Sequence, residues 1–268
     1  MDLFTNKSVM LLGGTGYIGG LLLDELLKHE NVNITIYSRD EYKQFFLKEE
    51  KEIKAQGRIR YCIGDVRDEQ GLKSELINID YVFDFAAMKH VQICEENVNQ
   101  AIMTNVLGTE NVAKCAMETK VKKVIYASSD KAVCPTNTYG ATKLLAEKIL
   151  YHYSNADSST SFAVARFVNI LGSRGSVLDK WKYQILNGKP VTITHPEMIR
   201  YFITGKEAVK FLMNICINDN TGNLFIPHFY RVKIIDLCQA FIDYMCERYQ
   251  IEKYNIKIIT VGMCPAEK

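Results

Sequence analysis

Short apolar runs alternate along most of the chain with stretches whose apolar positions recur at helical spacing. Ser8–Leu12, Ile34–Ser38, Arg60–Ile63, Tyr81–Phe85, Lys123–Ser128 and Phe162–Phe167 are near-continuous and short, the pattern of strands covered on both faces. Between them Ile18–His29, Glu41–Ala55, Ala101–Glu118 and Tyr139–Tyr153 read as amphipathic helices, with a further helix before Tyr81. Strand–helix alternation of this kind predicts an α/β fold, a Rossmann-type doubly wound parallel sheet. From about Gly172 the rhythm changes to helices at Leu178–Asn187, Lys206–Asn218 and Ile234–Tyr249 with a short strand at Val191–Thr194. The expected organisation is a larger domain over 1–171 and a smaller C-terminal lobe over 172–268, set over the carboxyl ends of the strands, where open α/β sheets take their ligands.

Composition narrows the partners. The chain has 268 residues, 47% hydrophobic, enough for a full core. Thirty-three Lys and Arg against 31 Asp and Glu leave a net charge of +2, too weak a field to argue for nucleic acid or a membrane surface. The eight cysteines form no C-x-x-C pair, which argues against a metal site and a disulfide framework and for buried thiols in a reducing cytoplasm. No apolar run approaches the ~18 residues of a membrane span, and the first strand begins so close to Met1 that no signal peptide is expected. The polar stretch Ser154–Thr160 reads as a turn.

The first chemistry lies at the start. Val9–Leu12 runs into Gly13, Gly14, Thr15, Gly16, Tyr17, Ile18 and Gly19, a strand, a glycine turn and a helix start with glycines spaced G-x-x-G-x-x-G. Such a turn lets backbone N–H groups approach a pyrophosphate, so 1–171 is read as a dinucleotide-binding domain in which Gly13, Thr15, Gly16, Tyr17, Ile18 and Gly19 meet the cofactor. After the second strand the chain reads Ser38-Arg39-Asp40. Arg39 with Ser38 suits a 2′-phosphate and predicts NADP; a ribose-binding Asp40 would favour NAD instead. Asp65 and Val66, after the third strand, are placed to border the adenine.

The second chemistry lies between Ser128 and Lys143. Tyr139 and Lys143, four apart on one helical face, form the pair in which an ammonium lowers a phenol's pKa and makes it a base for an alcohol losing hydride. Asp130-Lys131, just ahead of them, offers an acid and an amine for removing a proton and expelling water.

With these motifs the chain resembles the extended short-chain dehydrogenases/reductases, and within them the soluble UDP-N-acetylglucosamine 4,6-dehydratases. The resemblance runs through Gly13–Gly19, Tyr37–Asp40, Ala86–Val91, Thr104–Thr109, Asp130–Lys143, Asn169–Val177, Thr194–Met198 and Arg200–Thr204. It implies that Tyr139 and Lys143 oxidise C4 of the hexose, that Lys131 takes the C5 proton as a neutral amine, and that protonated Asp130 assists loss of the C6 hydroxyl as water. The hydride then returns to C6, so the NADP is tightly bound and recycled. Tyrosine at position 139 resembles the C5-inverting branch, which makes the precursor of pseudaminic acid.

The resemblance also places Ala86, Ala87, Lys89 and Asn105 at the cofactor, and Lys89, Asn169, Arg174 and Arg200 at the UDP-N-acetylhexosamine. It implies a homo-oligomer formed through the helices Ala101–Glu118 and Tyr139–Tyr153. Val261–Lys268 resembles a V-G-x-x-P-G-E-K segment that relatives run past, which suggests a trimmed substrate lobe. Two other readings stand beside this one. A nucleotide-sugar 4-epimerase or 4-reductase would need Tyr139 and Lys143 but leave Asp130-Lys131 without a task, and a non-catalytic NADP-binding sensor would need only the glycine turn.

Overall fold

A computed structural model of the protein describes residues 3–156, 159–217 and 222–262. The expected helix end at Asn218, the turn residues Asp157 and Ser158, and positions 263–268 of the terminal motif lie outside the described residues.

In chain order the elements are β1 (Ser8–Leu12), α1 (Tyr17–Leu26), β2 (Asn33–Ser38), α2 (Glu41–Ala55), β3 (Ile59–Ile63), α3 (Glu69–Glu75), β4 (Tyr81–Asp84), α4 (Val91–Glu96), α5 (Val98–Ile102), α6 (Gly108–Glu118), β5 (Lys123–Ser129), α7 (Thr138–Ser154) and β6 (Ser161–Phe167). They continue with β7 (Asn169–Ile170), α8 (Val177–Leu186), β8 (Val191–Ile193), β9 (Ile199–Ile203), α9 (Gly205–Ile217), β10 (Asn223–Phe225), β11 (Tyr230–Lys233), α10 (Ile234–Tyr249) and β12 (Ile258–Thr260).

Seven strands form one parallel sheet in the order β10-β6-β5-β4-β1-β2-β3. Strand order reverses between β1 and β4, which lie side by side although α1 to α3 separate them in sequence. That reversal opens a crevice at the carboxyl ends, where the glycine turn and the residues after β4 meet. The doubly wound parallel sheet expected from the alternation is the fold. Side chains of β1, β4, β5 and β6 pack with α6 and α7 in one cluster that includes Met10, Leu12, Val82, Val112, Tyr126, Ala146 and Phe162.

The chain divides into two compact units, Met1–Phe167 with Lys206–Pro227, and Val168–Gly205 with His228–Lys268. Where the sequence placed 206–227 in the smaller lobe, β10 adds to the large sheet by pairing with β6, and Lys123 reaches up to donate to the Ile215 and Cys216 carbonyls at the end of α9. The second unit has its own core around Trp181, which is fully buried and donates its indole N–H to the Thr192 carbonyl. Its small sheets pair β7 with β9, β9 with β11, and β8 with β12. Of the thiols, Cys94, Cys115, Cys216 and Cys238 are buried as expected, whereas Cys134 is exposed in the turn ahead of α7.

The helix expected at Ala101–Glu118 is interrupted by a π-helical turn at Met103–Leu107. Such turns often mark functional positions, because the added residue redirects a side chain. Here they bury Asn105 completely.

Candidate active site

At the glycine turn, Gly16 caps α1 with extended backbone, and no side chain caps the helix or places an acid in its first turn. The N-terminal N–H groups are thus left facing outward for an anion. Gly19 is dictated by packing: a Cβ there would sit 2.5 Å from the Gly14 carbonyl oxygen, so only glycine lets α1 close on the turn. Ala86 and Ala87 follow β4 beside Gly13, with the Ala86 N–H held by Asp84 at 2.9 Å. A strand, a tight turn and a bare helix terminus together fit a dinucleotide.

At the end of β2, Gln44 donates to both the Ser38 carbonyl and its hydroxyl. Arg39 is half exposed and lies 3.7 Å from Asp65. Asp40 caps α2, accepting from the Lys43 N–H at 2.9 Å and from its ammonium at 2.5 Å. Asp65 accepts from the Arg67 backbone and guanidinium; burial pulls its carboxyl upward, but these bonds hold it below its ordinary range. Val66 is buried in the core and packs against α6 at Gly108.

Asn105 accepts from the Met88 N–H at 2.8 Å and donates to the Met88 carbonyl and the Thr142 hydroxyl, both at 3.0 Å. It pins the segment after β4 to the first turn of α7, and Thr142 completes the tie by donating to the Tyr139 carbonyl. Lys89, next to Met88, is exposed.

The helix α7 starts at Asn137, whose side chain accepts from the Gly140 N–H. Tyr139 and Lys143 are both buried on it. The Lys143 ammonium donates to the Tyr126 hydroxyl at 3.0 Å and the Ala127 carbonyl at 2.8 Å, and sits 4.3 Å from the centroid of the Tyr126 ring. Burial lowers Lys143 to about 8, against the opposing pull of Asp84, Glu147 and Cys94. Burial pushes the Tyr139 phenol up to about 12; a hydrogen bond with Ser129 pulls the other way, and Asp130 and Cys94 add to the rise. This corrects the expectation that Lys143 depresses the phenol: Lys143 spends its hydrogen bonds on Tyr126 and Ala127, and desolvation dominates at Tyr139.

Asp130 and Lys131 form a 3₁₀ turn after β5 and an ion pair at 3.1 Å, each side chain about a third exposed at 32%. Ser129 connects the two halves of the site. It donates to Asp130 at 3.0 Å and accepts from the Lys131 N–H at 3.3 Å, and its hydroxyl is near enough to the Tyr139 phenol to oppose the rise in its pKa. Gly140 explains the proximity: a Cβ there would lie 2.2 Å from the Lys131 carbonyl oxygen, so the helix can cross the turn only with glycine. Asp130, Lys131, Tyr139 and Lys143 are thus assembled in one place. Ser129 was passed over in the sequence reading; its signal is its position as the last strand residue before Asp130.

Beneath the site, Glu147 accepts from Ser128 at 2.5 Å and from two nitrogens of Arg166. In the second unit, β7 pairs with β9 so that Asn169 lies opposite Phe202 and donates to the Tyr201 carbonyl at 2.9 Å, with Arg200 two residues earlier on β9. Arg174 lies exposed in the turn before α8. The strands β9 and β11, which fix Arg200, were missed because their short alternating runs looked like loop. No group of His, Cys, Asp or Glu suited to a metal ion occurs among the described residues, and none of their helices is long and apolar enough to cross a membrane.

Comparison with known proteins identifies the family. The family described as "Polysaccharide biosynthesis protein" matches residues 9–268. A Campylobacter jejuni protein named UDP-N-acetylglucosamine 4,6-dehydratase (inverting) is 40% identical over 242 residues, covering 89% of this chain and 72% of that protein. A Rickettsia rickettsii protein named UDP-glucose 4-epimerase is 37% identical over 256 residues, 93% of this chain and 74% of that protein. The X-ray structure of Pen from Bacillus thuringiensis superposes with a TM-score of 0.93 at 40% identity, covering 100% of this chain and 83% of that one. The chain is therefore a member of the polysaccharide biosynthesis protein family, built on the extended short-chain dehydrogenase/reductase fold.

Proposed function

We propose that this nucleotide-sugar enzyme is a C5-inverting UDP-N-acetylglucosamine 4,6-dehydratase that uses NADP. The observation carrying the proposal is the bonded run Ser129–Asp130–Lys131 packed against the start of α7 at Gly140, which sets an acid–base pair beside Tyr139 and Lys143, the residues of an alcohol dehydrogenase site. The names of the C. jejuni and R. rickettsii relatives support a UDP-sugar substrate, and the first supports inversion.

The residues fit a dinucleotide at the bare α1 terminus, where Gly13, Thr15, Gly16, Tyr17, Ile18 and Gly19 would hold the pyrophosphate, with Ala86, Ala87 and Lys89 lining the nicotinamide side and the buried Asn105 acting there only by bracing Met88. Asp65 and Val66 border the adenine through their backbone, since the Asp65 carboxylate is engaged by Arg67 and the Val66 side chain by the core. NADP is favoured over NAD because Asp40 is committed to capping α2 and to Lys43, while Arg39 remains half exposed beside Ser38. When bound, the nicotinamide would supply a hydride acceptor for C4 and a hydride donor for C6.

The chain's own residues move the protons. In the complex Tyr139 acts as a phenolate, its own proton released to solvent and the Lys143 charge stabilising the anion against the desolvation that raises the phenol in the free protein; it takes the C4 hydroxyl proton, and the ketone so formed acidifies C5–H. Passing one proton from Lys131 to Asp130 across their 3.1 Å contact converts the ion pair into a neutral amine and a neutral acid with no net change in charge. Desolvation by a bound sugar favours that transfer. Lys131 then removes the C5 proton, Asp130 protonates the C6 hydroxyl as it leaves as water, and as the hydride returns to C6 a proton is delivered back to C5, on the opposite face where C5 inverts. Asn169, Arg174 and Arg200 hold the diphosphate side, where guanidinium groups are suited to phosphate oxygens. Exposed Val98, Ile102, Met103 and Leu107 along α5 to α6, with Leu145 and Tyr151 on α7, support a homo-oligomer through these helices, testable by light scattering.

Proton NMR of the protein with UDP-N-acetylglucosamine and NADP in D2O tests the reaction. A C6 methyl signal with deuterium at C5 is expected, and ring couplings report inversion. A 4-epimerase, the reading that the R. rickettsii name favours, would instead give a C4 epimer with neither methyl nor C5 deuterium.

A further inference from the structure

Lys143 carries a charge into a site that is 3% exposed, and burying an ammonium is costly without a counter-charge. Its hydrogen bonds run to a neutral hydroxyl and a carbonyl. Glu147, one turn along α7, is already engaged by Arg166 and Ser128. Cys94 of α4 and Tyr139 of α7 complete its titratable surroundings on the helical side.

One more carboxylate belongs to this cluster. Asp84 ends β4, is 2% exposed, and has one oxygen held by the Ala86 N–H at 2.9 Å. It stands directly opposite Tyr126 in the β4–β5 register, so both side chains leave the same face of the sheet, and Tyr126 is the residue whose hydroxyl holds Lys143. Neither hydride transfer nor dehydration, as set out above, assigns Asp84 a task. A carboxyl in an otherwise apolar strand end is also an expensive choice, since well-packed apolar residues commonly replace buried charges at no cost.

We propose that Asp84 is a positioning residue, the buried counter-charge that works with Tyr126 to keep Lys143 an ammonium aimed along the Tyr139 side of α7. The inference rests on the reading of Tyr139 and Lys143 as the redox pair. Burial raises Asp84 to about 6, opposed by its Ala86 bond and by Lys143, so the counter-charge is present above that pH and lost below it. Lys143 near 8 sets the other edge. The two groups define a window in which both are charged.

The test labels lysine with 13C at the ε carbon and follows Lys143 with pH, its signal assigned by its loss in Lys143→Arg. In the unmodified protein the Lys143 signal is expected to show a second, smaller inflection as Asp84 titrates. Asp84→Asn keeps an acceptor for Ala86 and is expected to move the Lys143 midpoint down by about one pH unit or more, the usual effect of losing a nearby opposite charge. Tyr126→Phe, which keeps the carboxylate, should move it less. An unchanged midpoint in Asp84→Asn overturns the proposal, and should that variant fail to fold, absence of the second inflection in the unmodified protein does so.

Turnover provides a separate readout. With UDP-N-acetylglucosamine and NADP, Asp84→Asn should lower kcat on the order of fivefold at pH 8, with KM little changed, and recover as the pH falls and Lys143 regains its proton. A uniform loss at every pH would point to a merely structural role and overturn the proposal. Absence of turnover by the unmodified protein would sink the dehydratase reading and leave the lysine titration to decide Asp84.

Discussion

The α7 face with Lys143 and the 3₁₀ turn with Asp130 and Lys131 are neighbours, yet they are built in opposite ways. Lys143, Asn105, Thr142 and Glu147 are buried and tied by direct hydrogen bonds to β5, β6 and the segment after β4. Asp130 and Lys131 are each a third exposed and bonded mainly to one another and to Ser129. On the proposed reading, the redox half is set by folding, while the elimination half is an ion pair that a covering sugar would have to convert. Burial lets the protein tune a group's proton affinity.

Four results would break or sharpen this contrast. Tyr139→Phe removes the group that takes the C4 proton and should abolish both the transient reduced-nicotinamide absorbance and the C6 methyl, a loss on the order of 10²–10⁴. A surviving methyl signal would put the C4 base elsewhere. Lys131→Met should lose methyl formation and C5 deuteration by about 10²–10⁴ while the reduced-nicotinamide transient persists. If the transient disappears as well, the two halves are not separable.

Glu147→Gln leaves the part-buried Arg166 without its counter-charge and should lower stability by about 1–3 kcal/mol in urea unfolding, whereas Asp130→Asn in the exposed turn should change it by only about 0–1 kcal/mol. Equal losses would erase the difference in burial on which the contrast depends. Arg39→Ala should weaken NADP by about 10- to 150-fold, the worth of a charged hydrogen bond, and leave NAD unchanged by calorimetry. The smallest effect is the pH dependence of C4 oxidation. Lys143 is an ammonium below about 8 and neutral above it, so the rate of the reduced-nicotinamide transient should fall as pH rises through that value.

Much of this architecture was legible before any coordinates. Glu41–Ala55 and Ile234–Tyr249 were read to the residue, because Asp40 and the polar flanks mark their ends and their apolar spacing is sustained. The strands of the large sheet were equally clear, since β1, β4 and β5 are short apolar runs. The π-helical turn at Met103–Leu107 was not visible, because its residues continue the apolar spacing of the helices around it. The pairing of β9 with β11 was hidden for another reason: Ile199–Ile203 and Tyr230–Lys233 mix polar and apolar residues and form no continuous apolar run, and the two segments are far apart in sequence.

Local sequence therefore determined the alternation of strands and helices, the glycine turn and the presence of Asp130, Lys131, Tyr139 and Lys143 within one short segment. Those features depend on residue type and spacing along a continuous backbone, which the order of amino acids specifies directly. Tertiary structure decided the electrostatics. Only the parallel pairing of β4 with β5 sets Asp84 across from Tyr126, and only the packing of α7 on β5 turns Lys143 toward Tyr126 and buries Tyr139 deeply enough to raise its phenol. Charge and proton affinity follow from what surrounds a group in space, and those surroundings come from segments that meet only when the chain folds.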